Sequence, residues 1–240
     1  MILDDPVSSI QNPESRIQYP VSRIKYPVSS TNSQQSSYQI PSYPYFYPVF
    51  FKDVIGQQEI KDKLIKSIQE NRVSHAQLFL GPEGSGNLAM ALAFAQYVNC
   101  ENKQPDDSCG TCSSCIKSQK MIHPDIHYSY PVFKLKSGSE NPALSSDFIK
   151  AWRESVIENP YRNATEWLDF IHAENKQGNI SAAECRAIIH YLSLKTYESD
   201  YKILVMWLAE YLEKEGNILL KLLEEPADKT LIILVAENRD

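Results

Sequence analysis

The sequence has no apolar run long enough to cross a membrane, and its N-terminus has no apolar core followed by a small-residue cleavage site for secretion. It also has no cationic excess: 24 Lys and Arg stand against 30 Asp and Glu, for a formal net charge of -6. Because phosphate neutralisation needs Lys and Arg, we do not expect such a chain to bind nucleic acid by itself. These absences predict a cytoplasmic protein without membrane contact.

Residues 1–48 differ in composition from the rest of the chain and repeat every seven residues, as PVSSIQN, PESRIQY and PVSRIKY. Pro6, Pro13, Pro20 and Pro27 recur in step with the repeat, and proline at this frequency breaks a helix. We therefore predict a disordered tail ahead of a folded domain at 49–240. A transit peptide and translated repeat DNA are the alternative interpretations of the tail.

Strand-like and helix-like segments alternate from Phe51 to the end of the chain. The helical spacing of Ile60, Leu64 and Ile68 predicts an amphipathic helix over 57–70. Further helices are predicted at 87–99, 146–160, 181–195 and 216–226, and strands at 76–80, 123–130, 201–208 and 229–238. Because these strands are apolar, their order predicts an α/β fold with a parallel sheet covered by helices on both faces.

The stretch GPEGSGNLAMA at 81–91 lies between a predicted strand and a predicted helix, the context of a phosphate-binding loop. The motif G-x-x-x-x-G-K-[ST] should end in Lys and then Ser or Thr, but Asn87 and Leu88 occupy those positions. The degenerate loop comprises Gly81, Gly84, Ser85, Gly86, Asn87 and Leu88. Its glycines can still form the turn, and the helix N-terminus still favours an anion. The side chains for metal-assisted hydrolysis are missing.

The second half of such a site, an acidic residue that ends a later strand and holds Mg²⁺, is missing too. Where this carboxylate is expected, after the apolar run KILVM, the chain has Trp207 and Leu208. Glu210 lies two residues further on, and we expect its side chain to point elsewhere. The loss of both halves predicts no intrinsic NTP hydrolysis and no productive binding of ATP.

Four of the five cysteines lie in a polar segment with the spacing Cys100-x8-Cys109-x2-Cys112-x2-Cys115. Four thiolates at this spacing suit tetrahedral Zn²⁺, and Gly110 allows the tight turn between them. With all four positions filled by sulfur, the zinc would be structural and not catalytic. The alternative, four thiols buried as small apolar groups, is disfavoured by the polar flanks. The segment 100–115 is thus predicted to be a small zinc module.

Three segments together resemble the clamp-loader family of bacterial DNA polymerase III, over residues 51–240. These are FKDVIGQQEIKDKLIKSIQENRVSHAQLFLGPEGSG, the four-cysteine insert after the loop helix with HPDIH following it, and EGNILLKLLEEPADKTLIILVAEN. The resemblance implies a P-loop NTPase-like (AAA+) fold. The polar insert at about 133–180 is longer than the family core leads us to expect, and no function is assigned to it.

The family comprises delta-prime and gamma/tau subunits, and gamma/tau keeps the loop lysine and the acidic strand end. The departures at Asn87, Leu88, Trp207 and Leu208 therefore resemble delta-prime. This implies a non-catalytic subunit that assembles with delta and gamma/tau to place the sliding clamp on primed DNA, with DNA met only through the complex. The family's arginine that acts on a neighbouring subunit, and its lid and collar domains, would follow Asp240, so we expect a fragment.

Two other functions are left open. The first is a gamma/tau-like ATP-binding subunit with atypical motifs, which the intact loop glycines favour. The second is a zinc-stabilised nucleic-acid-binding module, which the acidic residues of segment 100–115 disfavour. Structural roles are predicted for His75, His123, His127, Trp152, Trp167, Trp207, Cys185, Glu224 and Glu225.

Overall fold

The structure is a computed structural model that describes residues 50–133 and 142–238. The predicted tail at 1–48 lies outside these residues, and so does the part of the predicted insert at 134–141. Within the two described ranges, no helix combines the length and the apolar character that a membrane span requires.

Four parallel strands form one sheet, as predicted, and their order in the sheet is β1-β4-β3-β2. They are β1 (Ala76–Leu80), β2 (Ile126–Ser129), β3 (Lys202–Trp207) and β4 (Thr230–Ala236). Every residue of β3 is buried, which confirms it as a central strand. The apolar stretch AQLFL at 76–80 predicts a buried strand, and this prediction is wrong. Among the described residues β1 pairs with β4 alone, which leaves the side chain of Leu78 58% exposed.

Both faces of the sheet are covered, because the side chains of β3 alternate between two apolar cores. Ile203, Val205 and Trp207 enter the larger core, together with the helix that follows β1. Leu204 and Met206 enter a second core on the opposite face. This arrangement confirms the predicted α/β fold with helices on both sides.

Seven α-helices surround the sheet within the described residues. They are α1 (Gln58–Gln69), α2 (Asn87–Asn99), α3 (Ser113–Gln119), α4 (Ile149–Glu158), α5 (Ala164–Phe170), α6 (Ala182–Ser193) and α7 (Leu220–Glu224). The helices predicted at 57–70, 87–99 and 181–195 correspond to α1, α2 and α6. The helix predicted from 146 begins as a 3-10 turn at Ser145–Phe148 and continues as α4.

The prediction of a helix at 216–226 is wrong in part. An 11-residue 3-10 segment, Ala209–Leu219, precedes the five residues of α7, and Glu213 within it has non-helical backbone angles (φ 46°, ψ -132°). Residues 216–219 therefore belong to the 3-10 segment and do not form one regular helix with α7. The end of α7 just before Pro226 is as predicted, because proline disfavours the helical conformation of the residue before it.

The insert contributes to the core through its aromatic side chains. Trp152 of α4 and Trp167 of α5 are 1% and 0% exposed, and their rings meet edge to face with centroids 5.6 Å apart. Trp207 of β3 contacts both of them, and Tyr130 stacks on Trp152 at 4.1 Å. The three tryptophans are therefore core residues, as predicted.

Candidate functional site

The glycine loop lies where the sequence predicts it, after the last residue of β1 and before α2. Gly86 is the N-cap of α2 and has a φ of 81°, and Gly84 has a φ of 73°. Both angles are in the left-handed region, which glycine adopts without steric cost. The loop glycines are thus needed for the backbone path itself, whatever the loop binds.

The side chain at the lysine position is turned toward the protein. The amide nitrogen of Asn87 donates to the carbonyl of Gly81 (3.3 Å), directly after β1, and to that of Ala236 (3.1 Å), the last residue of β4. Its amide oxygen accepts the backbone N–H of Leu88 at 2.8 Å. Asn87 therefore bridges two strand ends and occupies an N–H group of the first turn of α2. Leu88 itself is 2% exposed and offers no hydroxyl.

The loop is braced by two other parts of the chain. Gln57, at the start of α1, donates its amide to the carbonyl of Ser85. From the insert, Asn163 donates its amide to the Glu83 carboxylate, and the ring of Tyr161 packs against Gly86. The two contacts from the insert join residues at least 75 positions apart in the sequence. No local pattern in the sequence indicates them.

The packing of Tyr161 makes Gly86 sensitive to substitution. A Cβ atom at Gly86 would lie 2.7 Å from Cε1 of Tyr161, whose hydroxyl is anchored by the N–H of Ile55 at 3.0 Å. We expect Gly86→Ala to lower the free energy of unfolding by about 1–3 kcal/mol, from the positive φ and this clash. Gly216→Ala is the control, since its Cβ meets only ordinary contacts from 3.8 Å. Urea denaturation of both variants measures the difference, and equal stability would contradict it.

The end of β3 offers no carboxylate at the predicted positions. Trp207 is 2% exposed, and Leu208 is fully buried with a left-handed backbone conformation (φ 58°). The expectation for Glu210 is wrong, because its carboxylate accepts the N–H of Glu237 at 3.0 Å, directly after β4. Glu210 therefore lies at the same edge of the sheet as the glycine loop.

The electrostatics of this edge are unfavourable for a phosphate. Burial, followed by repulsion from Glu210 and Glu83, raises the pKa of the Glu237 carboxyl. A groove of about 430 Å³ between α1, β1 and the loop has no charged side chain in its lining. A phosphate at the loop would thus meet the N-terminus of α2 but also neighbouring carboxylates. Position 87 would provide no cationic side chain to offset them.

The four clustered cysteines come together beside α2 and α3. All four Sγ atoms lie within 4.8 Å of one another, and all four thiols are free of disulfides. The backbone N–H of Cys109 points at Cys100 Sγ (3.3 Å), that of Cys112 at Cys109 Sγ, and that of Cys115 at Cys112 Sγ (both 3.4 Å). Three of the four sulfur atoms therefore accept a peptide N–H group.

This donor set can hold a metal ion. A tetrahedral ion with Zn–S bonds of about 2.3 Å separates its sulfur atoms by about 3.8 Å, and the Sγ atoms of Cys109 and Cys115 are 3.9 Å apart. Burial opposes ionisation of Cys109, but N–H donors from Thr111 and Cys112 outweigh it and lower its pKa to about 6. Burial raises the pKa of the Cys115 and Cys100 thiols, so a bound cation would be needed to ionise all four.

The cysteine segment also fastens the beginning of the folded domain. The carboxylate of Asp107 accepts the N–H groups of Phe51 (3.2 Å) and Lys52 (3.1 Å). Gly110, with a φ of 74°, lies against the ring of Phe50, where a Cβ atom would be 2.8 Å away. The turn predicted at Gly110 is therefore present, and it also makes room for an aromatic side chain.

The remaining residues singled out from the sequence have structural surroundings. Nε2 of His75 hydrogen-bonds the carbonyl of Leu223 at 3.0 Å, and His123 lies between the hydroxyls of Ser114 and Ser199, both at 3.0 Å. Cys185 is fully buried in the second core. His127 lies 3.9 Å from the Glu184 carboxylate, and Glu224 and Glu225 are exposed at the end of α7.

The chain is thus an α/β protein with a parallel sheet, a glycine loop after β1 and a cysteine cluster after α2. Residues 56–240 match the family model described as DNA polymerase III, delta subunit. This match covers most of the chain, which therefore belongs to that family.

The chain is also similar to shorter stretches of curated proteins. It is 42% identical over 73 residues to DNA polymerase III subunit tau of Bacillus subtilis, which is 30% of this chain and 13% of the relative. It is 31% identical over 97 residues to DNA polymerase III subunit gamma/tau of Mycobacterium tuberculosis (40% and 16%). Protein STICHEL-like 4 of Arabidopsis thaliana is 35% identical over 71 residues (30% and 7%).

The matched segments span less than a fifth of each of these three relatives. The predicted resemblance to clamp-loader subunits is confirmed at the level of the family. The names of these relatives do not include delta-prime, so the finer assignment stays a prediction.

Proposed function

We propose that the chain is a non-catalytic, delta-prime-like subunit of the DNA polymerase III clamp loader and helps to load the sliding clamp on primed DNA. The observation that carries this proposal is the inward turn of Asn87, which bonds two strand ends where a lysine would reach a phosphate. Its partners would be delta and gamma/tau subunits and the clamp, with DNA contacted only through the complex.

The surroundings of the loop support a structural role for it. Tyr161 and Gln57 hold the loop from outside, and Asn87 holds it from inside. The apolar end of β3 at Trp207 and Leu208 lacks the carboxylate that would hold Mg²⁺. In the proposed function the loop keeps its shape as part of the fold and does not take up ATP productively.

In the proposed function, Cys100, Cys109, Cys112 and Cys115 hold a structural Zn²⁺. The bound ion would supply the positive charge that keeps four adjacent thiolates ionised, and it would do no chemistry on a substrate. The cysteine segment would then hold Phe51 and Lys52 through Asp107, so the metal serves the start of the folded domain.

We expect the purified full chain to show no ATP hydrolysis above a protein-free blank, with or without primed DNA and clamp. The double variant Asn87→Lys/Leu88→Thr should remain inactive, because it restores the loop residues but no carboxylate at the end of β3. Release of radiolabelled phosphate measures both, with a gamma/tau subunit as the active reference. Hydrolysis by the unmodified chain would contradict the proposal.

Assembly is tested by a pull-down of the tagged full-length protein from its own cells, with mass spectrometry of the bound proteins. Recovery of delta, gamma/tau and the clamp supports the proposal. Recovery of none of them, under conditions that preserve the replication complex, would overturn it.

A gamma/tau-like ATP-binding subunit is the second candidate, favoured by the names of the curated relatives. Saturable binding of one ATP per chain would support this alternative over the first. A nucleic-acid-binding module acting alone is less well supported, because Glu101 and Asp106 are exposed on the cysteine segment. DNA binding that weakens steeply with salt would favour it.

A further inference from the structure

A small pocket opens beside the cysteine module, at the opposite end of the sheet from the glycine loop. It lies between the turn after α3, strand β2 and helix α4, and its volume is about 200 Å³. This is below the range of about 300–1,000 Å³ that is usual for small-molecule sites, so it has room for one side chain of a partner. Met121, Ile122 and Ile149 give it an apolar lining.

One wall of the pocket carries a fixed cation. Arg153 of α4 lines the pocket and is held in place by its Nε, which donates to the carbonyl of Met121 at 3.0 Å. The ion pairs of the described residues do not include Arg153. Its two terminal guanidinium nitrogens therefore have no carboxylate partner in that part of the chain.

The carboxylate of Glu184 lies near the pocket, but it is buried. The Glu184 side chain is 3.9 Å from His127, which lines the pocket, and it is only 2% exposed. It accepts the N–H of Ser145 at 2.9 Å. Glu198 lies 3.6 Å from His123 of the lining, but it forms an ion pair with Lys117. The lining itself contains Arg153 and no carboxylate.

Ile122 of the pocket lining is exposed, and three further exposed apolar side chains lie on α3 and on the loop after α6. Ile116 and Ile122 lie on and just after α3, and Leu194 and Tyr197 lie on the loop after α6, with 43%, 46%, 50% and 82% exposure. We call these four residues the Ile122 surface. They make up four of the nine large apolar residues exposed in the described ranges, and they lie on two segments of the chain.

The two segments that carry the Ile122 surface are joined to each other. Lys117 forms an ion pair with Glu198, the hydroxyl of Ser199 contacts His123 at 3.0 Å, and the N–H of Tyr197 donates to Asp125 at 2.6 Å. The four apolar side chains are therefore presented by one connected piece of structure.

The charges around the Ile122 surface favour an acidic partner. Lys120 and Lys195 are exposed on the same two segments, and neither belongs to an ion pair of the described residues. Together with Arg153 they give a local cationic excess on a chain of net charge -6. A nucleic-acid site would need a longer stripe of basic and aromatic residues than this.

We propose that the pocket and the Ile122 surface bind an acidic peptide segment of a partner protein. One large apolar side chain of the peptide enters the pocket, and its carboxylates meet Arg153, Lys120 and Lys195. The remaining apolar contacts lie along Ile122 and Tyr197. This site is separate from the glycine loop and does not depend on the proposed clamp-loader function.

The test uses the full chain and a fluorescein-labelled peptide, Asp-Asp-Asp-Asp-Leu-Phe, with binding followed by fluorescence anisotropy. We expect saturable binding that weakens about tenfold in Arg153→Gln, as for loss of one charge-assisted contact. Lys150→Gln is the matched control, because it removes an exposed positive charge from the same helix. Its affinity should stay within about twofold of the unmodified protein.

Ile122→Ser is the second variant, since an exposed side chain can be changed with little effect on folding, as circular dichroism would verify. It should weaken binding about tenfold, whereas Leu220→Ser, a control with 50% exposure on α7, should not. The proposal is overturned by no binding up to about 1 mM, or by equal loss in Arg153→Gln and Lys150→Gln. Tighter binding of a single-stranded oligonucleotide of equal charge also overturns it.

Discussion

Replacing Asp125 with Ala should lower the free energy of unfolding by about 3–5 kcal/mol, because it leaves a buried charge without its partner. Asp125 is fully buried and pairs with Lys202 at 3.1 Å, whose side chain is 7% exposed. The same carboxylate accepts three successive N–H groups, from residues 197–199, at 2.6–2.9 Å. The substitution removes all of these acceptors at once.

Asp200→Ala is the matched control for this substitution. Asp200 also pairs with a lysine at 3.2 Å, but the side chains of Asp200 and Lys229 are 80% and 60% exposed. An exposed pair of this kind contributes at most about 1 kcal/mol. Urea denaturation of both variants measures the difference, and similar losses in the two would show that burial does not decide the strength of the Asp125 pair.

The effect of Asp125→Ala should also depend on pH. Burial alone would raise the pKa of Asp125, but the N–H groups of 197–199 and the Lys202 ammonium outweigh it and lower the pKa. A carboxyl group whose pKa is lower in the folded state stabilises that state above its unfolded pKa, about 3.9. The contribution is lost as the pH falls through the folded pKa. The stability difference between the two proteins should therefore shrink only in strong acid.

The second large effect is expected for the cysteine cluster. In the proposed function, Cys109→Ser removes one of four ligands, and we expect bound zinc to fall from about one ion per chain to almost none. The N–H groups and thiols arranged around the ion would then have no common partner, and the thermal midpoint should fall by about 10 °C or more. Cys109 is partly exposed, so the substitution itself disturbs little packing.

Cys185→Ser is the control for this experiment, because it changes a buried thiol outside the cluster. It should lower stability through its buried hydroxyl, yet leave the zinc content unchanged. Elemental analysis by mass spectrometry together with differential scanning fluorimetry separates the two effects. If the unmodified protein contains no zinc, or if Cys109→Ser contains as much zinc as the unmodified protein, the four thiols are not zinc ligands.

The parts of the fold that sequence predicts well are those determined by local patterns. The apolar periods of α1, α2 and β3 and the glycines of the loop indicate these elements because each signal lies within the element itself. The cysteine spacing likewise places four sulfur atoms within 4.8 Å of one another. The edge position of β1 could not be read this way, because an apolar strand has the same composition at the edge and in the centre of a sheet.

The surroundings of the loop could not be predicted because they depend on distant contacts. The loss of lysine at position 87 is visible in the sequence, but the bonds of Asn87 to the ends of β1 and β4 are not. Tyr161 and Asn163 come from a polar insert that carries no motif. From its position along the chain alone, the sequence predicts that the Glu210 side chain points away from the end of β3. The 3-10 turn after β3 instead brings its carboxylate to the N–H of Glu237, directly after β4.

The alternation of β3 between two cores has a mechanical consequence. Ile203, Val205 and Trp207 are packed on one side and Leu204 and Met206 on the other, all nearly inaccessible to solvent. Sliding β3 against its neighbours would open both close-packed layers at once, which packed interiors resist. The sheet and the two apolar layers that cover it are therefore expected to move as one rigid unit.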